Sequence, residues 1–365
     1  VVRRVTLADV ARAAGVHRTT VSLALRNHSG LPAPTRARLK ALAEEMGYRP
    51  DPALAALNAY RVGRAEHKNV VAVAYLQHLD PENDLGAACH GLYLEGARAQ
   101  AERLGYRLER FSVGDDGVNA RQLGRILHAR GIQGILIASF TPDMPTLELD
   151  WSRHCGVRIG HHPAGLPLNT VAHNFFQITS TAVARAYEKG YTRVGLAVSD
   201  MDTKKQAQLI GAGFELGLDS HDGLRRVPRL TFAAHDARGR AGIIHDLRAW
   251  ARREQIEVLL SNWNFPASEL ATIFDGLPGR PRFYSLDAPS DDLRIGGMVQ
   301  NHRLLGRHAF DQLALQMQTG AVGIPEYPVL SLIEGFWREP RDDPPSSARS
   351  RSRRSEARKS RELFS

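Results

Sequence analysis

One glycine in "VTLADVARAAGVHRTTVSLALRN" (residues 5–27) is followed by a polar run, His17, Arg18, Thr19, Thr20 and Ser22. A guanidinium beside short hydroxyls suits the base edges of a DNA major groove, Arg above all to guanine O6 and N7. That chemistry needs the run held outward on a rigid element. Thr6 is a good N-cap, and Asp9 three residues on makes a capping box with a shorter carboxylate. Val10, Ala13 and Ala14 predict an apolar face for a first helix, and Gly15 lets the backbone leave it sharply. A second helix, from about Arg18 to Leu25, turns Val21, Ala24 and Leu25 inward at helical spacing, so Arg18, Thr19 and Ser22 point outward. Helix, tight turn, helix is the helix-turn-helix arrangement, which lays its second helix in the major groove. A third helix, "TRARLKALAEEMG", aligns Leu39, Leu42 and Met46 and stops at Gly47. It completes a unit of about 46 residues, small enough that dimerisation or DNA should help hold it. Three helices capping some other domain are the structural alternative.

Charge is distributed to match. Residues 1–64 carry 11 Lys/Arg against 4 Asp/Glu, residues 65–340 carry 29 against 31, and residues 341–365 carry 8 against 4. A basic end on a nearly neutral body is the footprint of a nucleic-acid arm, because each neutralised phosphate releases counterions; a solubilising excess is the bland alternative. After Tyr48, Pro50 and Pro52 break the chain and Asp51 can cap a short helix through Leu57. That helix is too short and alanine-rich to be stable alone and is expected to stay disordered until a partner orders it.

Residues 5 to about 58 resemble the headpiece and hinge of the LacI/GalR family of bacterial transcription regulators, carried by "VTLADVARAAGV", "TTVSLALRN" and "AEEMGYRPDPALAAL". The resemblance implies that Arg18 and Thr19 read bases and that Thr20, Ser22, Arg26, Thr35 and Tyr48 lie at or near backbone contacts. Thr6, Leu7, His17 and Asn27 complete the DNA-contact set. Leu57 falls on the leucine that family members wedge into the minor groove at the centre of a palindrome; an ordinary core leucine is the alternative. Two features depart from the pattern. Leu23 stands where a polar base reader can sit, and His17 and Pro32 stand where helix-capping serines are common.

The body, residues 69–340, alternates strands and helices. "NVVAVAYL", "YRLERFSV", "GILIASF", "VRIGHH", "TRVGLAVS", "EVLLSN" and "RFYSLD" read as short buried strands, several apolar throughout, as parallel strands tend to be. "GLYLEGARAQAERLG" (Leu94, Ala97, Ala101, Leu104) and "LLGRHAFDQLALQM" (Leu305, Ala309, Leu313, Met317) read as helices packed on them. Such repetition predicts doubly wound α/β architecture, with two sheets to hold so many strands. "VAHNFFQITSTAVARAYEKGYTRVGL" and "RIGGMVQNHRLLGRHAFDQL" extend the family resemblance. They imply a periplasmic-binding-protein-like core of two subdomains joined by three crossovers, with a small ligand in the cleft shifting the hinge helices. The first subdomain is expected over about 69–170 and 300–325, the second over 171–299 and 326–340. Cleft ligands bind at the carboxyl ends of strands. That rule nominates His78, Asp80, Ser139, Phe140, His161, His162, Phe176, Asp200, Asn262, Trp263, Asp287 and Gln300, a set suited to a carbohydrate or a planar base. Three positions depart from the effector pattern: His173 beside Asn174 replaces an aspartate, Ile210 an arginine, and Trp263 an aspartate. Losing an arginine and two carboxylates removes groups that grip hydroxyls or anions, so an altered or absent effector is an open alternative.

Other chemistries lack their residues. Strand alternation scatters the histidines of "HCGVRIGHH", and Cys89 and Cys155 stand alone, so neither a metal site nor a disulfide framework is expected. There is no G-x-G-x-x-G after a strand, no G-x-x-x-x-G-K-[ST] and no G-x-S-x-G elbow, so no cofactor and no enzyme are expected. No stretch approaches the roughly 18 apolar residues of a membrane span, and "VVRRVTLADV" lacks a signal-peptide core, which predicts a soluble, cytoplasmic protein. Residues 341–365, rich in Pro, Ser and Arg, read as a disordered basic tail without leucine heptads, pointing to a homodimer. Taken together, the residues predict a headpiece over 1–50, a hinge over 51–68 and an effector-binding core. The expected function is a DNA-binding regulator, most simply a repressor, on a double-stranded pseudo-palindromic operator. A regulator with a ligand-independent cleft and a plain solute-binding protein are the alternatives.

Overall fold

The computed structural model describes residues 5–25, 30–48, 71–77, 84–113, 118–138, 147, 149–161, 166–199, 204–233, 237–279 and 281–341. The expected hinge over 51–68 and the tail beyond Arg341 lie outside them.

Three helices open the chain: α1 (Leu7–Ala14), α2 (Arg18–Leu25) and α3 (Ala33–Glu45). Thr6 and Asp9 form the expected capping box, the Asp9 N–H donating to Thr6 Oγ1 and the Thr6 N–H to Asp9 Oδ2. Gly15, at φ 66°, ends α1 in the left-handed conformation that an L side chain resists. Val10, Ala11, Val21, Ala24, Leu39 and Ala43 are buried together, with Leu25, Met46 and Tyr48 packed around them. Ala13, expected inside, is exposed. Ala11 takes its place, because residues 7, 10, 11 and 14 share one helical face and residue 13 lies off it.

The chain then divides into two compact units, one formed by residues up to 172 with 302–333, the other by 173–301 with the chain from 334 onward. In the first, β1 (Val71–Gln77), β2 (Tyr106–Ser112), β3 (Gly134–Ala138), β4 (Cys155–Ile159), β5 (Asn169–His173) and β11 (Leu330–Ile333) stand in the order β2-β1-β3-β4-β5-β11. The second holds β6 (Val194–Ser199), β7 (Leu230–Phe232), β8 (Val258–Ser261), β9 (Arg282–Ser285), β10 (Gly297–Val299) and β12 (Phe336–Arg338), ordered β7-β6-β8-β9-β10-β12. The two sheets share one topology. Within each, β1 to β5 and β6 to β10 pair in parallel. β12 closes the second sheet antiparallel to β10.

Helices cover both faces of each sheet. On the first, α4 (Asp84–Arg103) and α10 (His302–Thr319) pack Ala97, Ala101, Leu305, Ala309 and Leu313 on one face, while α5 (Ala120–Ala129) sends Leu123 and Leu127 to the other. On the second, α6 (Phe175–Glu188) and α7 (Lys204–Asp219) cover one face, and α8 (Gly239–Glu254) and α9 (Ala267–Phe274) the other. All seven strands expected from apolar runs are present. The third crossover differs from expectation. Residues 326–333 belong to the first unit, because Thr170 N–H donates to the Val329 carbonyl and Val329 N–H to Asn169 Oδ1, tying β11 beside β5.

Candidate nucleic-acid interface and the strand ends

In the headpiece, His17, Arg18 and Thr19 are exposed at the start of α2, and Thr20, Ser22 and Leu23 are half-buried further along it. The His17 carbonyl accepts the first helical bonds, from the Thr20 and Val21 N–H groups. Its imidazole supplies the cap that a serine would: Nδ1 accepts from the Thr19 N–H at 3.3 Å and lies 3.0 Å from Thr19 Oγ1. The other unusual position, Pro32, starts α3 without a side-chain bond, and Pro34 in the first turn needs no N–H partner there. Thr6 uses its hydroxyl within the capping box, donating to Asp9 Oδ2 at 2.6 Å. Leu7 and Tyr48 pack against the headpiece core, and Thr35 is half-buried on α3. Arg26, Asn27 and Leu57 lie outside the described residues.

Of the strand-end nominees, His78, Asp80, Ser139, Phe140, His162 and Asp200 also lie outside them. In the first unit His161 follows β4 and is buried. In the second unit the structure brings Asn262, Trp263, Asp287 and Gln300 together on adjoining turns. Ser261 and Ser285 are register partners, fully buried at the ends of β8 and β9. Each accepts the N–H two residues on, from Trp263 at 3.1 Å and from Asp287 at 2.9 Å. Asn262 Oδ1 accepts the Ser199 N–H at 2.8 Å, tying the turn to β6. Gln300 Nε2 donates to the Leu286 carbonyl at 2.9 Å, and Asn264 Nδ2 to the Asp287 carbonyl at 3.0 Å. These amides are engaged with the turns themselves, which makes the strand ends rigid.

Trp263 sits edge to face with Phe232 at 5.8 Å, under the Arg240 guanidinium at 5.3 Å from the ring. Arg240 is in turn paired with Glu269. One indole face is therefore occupied within the unit. Phe176 is exposed on α6 and does not join the turns through any of these bonds. Ile210 is buried in the apolar core among Phe214, Val183 and Leu196. Asn174 caps α6 by accepting the Gln177 N–H, and His173 is buried with its ring edge-on to Phe175.

Two polar groups that strand-end reasoning missed lie inside β1. Tyr75 and Gln77 alternate onto the α4/α10 face; both are buried, and the Tyr75 hydroxyl and Gln77 Nε2 have no hydrogen-bond partner among the described residues. A Tyr and a Gln inside an otherwise apolar parallel strand were the available signal. Burial pushes the Tyr75 phenol up, with Cys89 adding to the effect, so the hydroxyl keeps its proton and remains a donor. Burial, then the charge of His302, pulls His90 down to about 4, leaving it neutral at neutral pH. Burial lifts the Cys155 thiol to about 12, which makes it an unreactive filler. Among the described residues, no group of three or more His, Cys, Asp or Glu is placed to hold a metal ion, and no helix is long and apolar enough to cross a membrane.

Comparison with known proteins bears on both parts. Residues 6–51 match the family described as bacterial regulatory proteins, lacI family. A curated relative, the HTH-type transcriptional regulator Rv3575c of Mycobacterium tuberculosis, is 30% identical over 165 residues, covering 45% of this chain and 44% of that protein. The match thus spans less than half the length of that relative. Among solved structures, the Lac repressor dimer bound to operator and the anti-inducer ONPF is 18% identical, with a TM-score of 0.55, over 92% of this chain and 98% of that one. The transcriptional regulator CelR in complex with cellobiose is 17% identical, with a TM-score of 0.54, over 92% and 99%. A LacI transcriptional regulator from Lactobacillus brevis is 16% identical, with a TM-score of 0.55, over 73% and 100%. At these identities the structural matches establish the shared fold.

Proposed function

From the match of residues 6–51 to the lacI family of bacterial regulatory proteins, we propose that the chain is a sequence-specific DNA-binding transcription regulator. It works as a cytoplasmic, non-catalytic repressor, a homodimer on a pseudo-palindromic operator, whose affinity a small carbohydrate-like ligand modulates. One observation carries the reading: an exposed His17-Arg18-Thr19 run opens the second helix of a complete helix-turn-helix unit. The operator named with the Lac repressor and the cellobiose named with CelR support the two halves of the proposal.

Binding of the whole chain to a randomised duplex pool tests it. A symmetric site should emerge, with affinity falling steeply as salt rises. Arg18→Ala should cost about 1–3 kcal/mol and relax preference at one base pair per half-site. A flat, sequence-independent binding curve would refute the proposal.

The ligand half rests on the first unit. The Tyr75 hydroxyl and Gln77 Nε2 are buried donors without an acceptor among the described residues, and a sugar or sugar acid would supply one. Without ligand, Tyr75→Phe should leave stability unchanged or raise it by up to about 1 kcal/mol, since an unpaired buried hydroxyl is a liability. The same variant should weaken the thermal shift given by any sugar that stabilises the wild type. A marked loss of stability without ligand would mean the hydroxyl has a structural partner. The ligand-independent reading draws on the second unit, where Ile210 is core and the Asn262 and Gln300 amides are engaged with neighbouring turns. A screen of sugars, sugar phosphates, sugar acids and nucleobases with no thermal shift would favour it.

A further inference from the structure

We propose that His17 decides what Thr19 reads: it makes Thr19 an acceptor-only reader that selects a base presenting an exocyclic amine in the major groove, adenine or cytosine, over guanine or thymine. The inference rests on the DNA-binding reading above. It begins from two contacts at one nitrogen. The Thr19 main-chain N–H can only donate, and it points at His17 Nδ1 from 3.3 Å. Nδ1 therefore presents its lone pair and carries no hydrogen, which puts the hydrogen of the neutral ring on Nε2. Thr19 Oγ1 lies 3.0 Å from the same Nδ1. Between an oxygen and a nitrogen without hydrogen, that contact is a hydrogen bond only when the hydroxyl donates.

A threonine hydroxyl has one hydrogen, and here it is directed inward to the imidazole. What Thr19 turns outward is a pair of oxygen lone pairs and a methyl group. Left to itself a threonine hydroxyl rotates and serves either partner, donor or acceptor, so it discriminates poorly. Held in this way it meets adenine N6 or cytosine N4 amines favourably and opposes guanine O6 or thymine O4 lone pair against lone pair. Thr19 is exposed in the first turn of α2, where the residues of a helix-turn-helix recognition helix reach base edges. His17 is thus a positioning residue whose effect falls on one base.

The test selects duplexes from a randomised pool with the full-length chain, locating the base faced by Thr19 as the position whose preference Thr19→Val alters. Wild type should prefer A or C there over G or T by about three- to tenfold, the range of one net hydrogen bond. His17→Gly, which keeps a competent helix cap but offers Thr19 no acceptor, should drop that preference below about twofold while the other positions keep theirs. His17→Asn, whose Oδ1 again accepts, should restore it. A uniform loss of affinity in His17→Gly with the preference intact would make His17 a cap and nothing more, overturning the inference. A wild-type preference for G or T at that position would overturn it as well. A wild-type chain that selects no sequence at all would instead defeat the DNA-binding reading on which it stands.

Discussion

Gly306→Val should unfold the first α/β unit, lowering its stability by more than about 3 kcal/mol, the upper range for overpacking a tight site. Gly306 lies on α10, and a Cβ there would stand 2.0 Å from the Tyr93 carbonyl oxygen on α4. Gly96 on α4 mirrors it, its Cβ falling 2.0 Å from the Arg303 carbonyl oxygen. Both obstacles are main chain, so no side chain can swing aside. The helices would have to part, uncovering the interface of Ala97, Ala101, Ala309 and Phe310 that closes the core. Urea or thermal unfolding of the whole chain checks this, with Gly91→Ala as the control. Gly91 is on α4, like Gly96, but with open space around it, so alanine there should be neutral or stabilising by up to about 1 kcal/mol. Equal damage at both sites would refute the close-crossing account. The second unit uses the same device, Gly213 on α7 packing against the Phe176 carbonyl of α6.

Val21→Lys should abolish operator binding, by more than about a hundredfold, while both α/β units melt as before. Val21 is fully buried at the centre of the headpiece. An ammonium placed there costs several kcal/mol unless it is neutralised or escapes, and a unit of this size has little stability in reserve. Ala13→Lys is the matched comparison. It adds the same charge and therefore the same general attraction to phosphate, but at an exposed position in the last turn of α1, where a cation favours the helix. It should bind DNA at least as well as wild type. Parallel losses in the two variants would mean that charge rather than burial governs the headpiece.

The headpiece was legible because its determinants are local: Thr6 and Asp9 three residues apart, a glycine after Ala14, and apolar residues at helical spacing. The inner strands β1, β3, β4, β6, β8 and β9 were legible because parallel strands covered on both faces are largely apolar, whereas β5 and β10, equally inner, were reached only through the family resemblance. β7, β11 and β12 were not, since "LTF", "LSLI" and "FWR" are three or four residues long. They are strands through their pairing partners rather than their own pattern. The third crossover was misplaced for the same reason, its position depending on Asn169 and Thr170, some 160 residues away from Val329. At the strand ends, the rule points to turns but not to what their side chains do there. Nothing in "SNWN" announces that Asn262 is bonded to Ser199. Tyr75 escaped the rule because it lies within β1, and Gln77 because it is the last residue of the strand rather than one beyond it.

That the first unit is split, with α10 and β11 supplied from 302–333, sets a clock on its synthesis. A ribosome adding about 5–20 residues per second needs roughly 6–26 s to travel from residue 173 to residue 302. Throughout that interval the face of β1 and α4 bearing Val73, Tyr75, Ala97 and Ala101 lacks the helix that covers it. The nascent chain therefore carries an adhesive apolar surface for seconds, even if the second unit's sheet assembles meanwhile. Chaperone demand during translation follows from the order of the strands as directly as the finished architecture does.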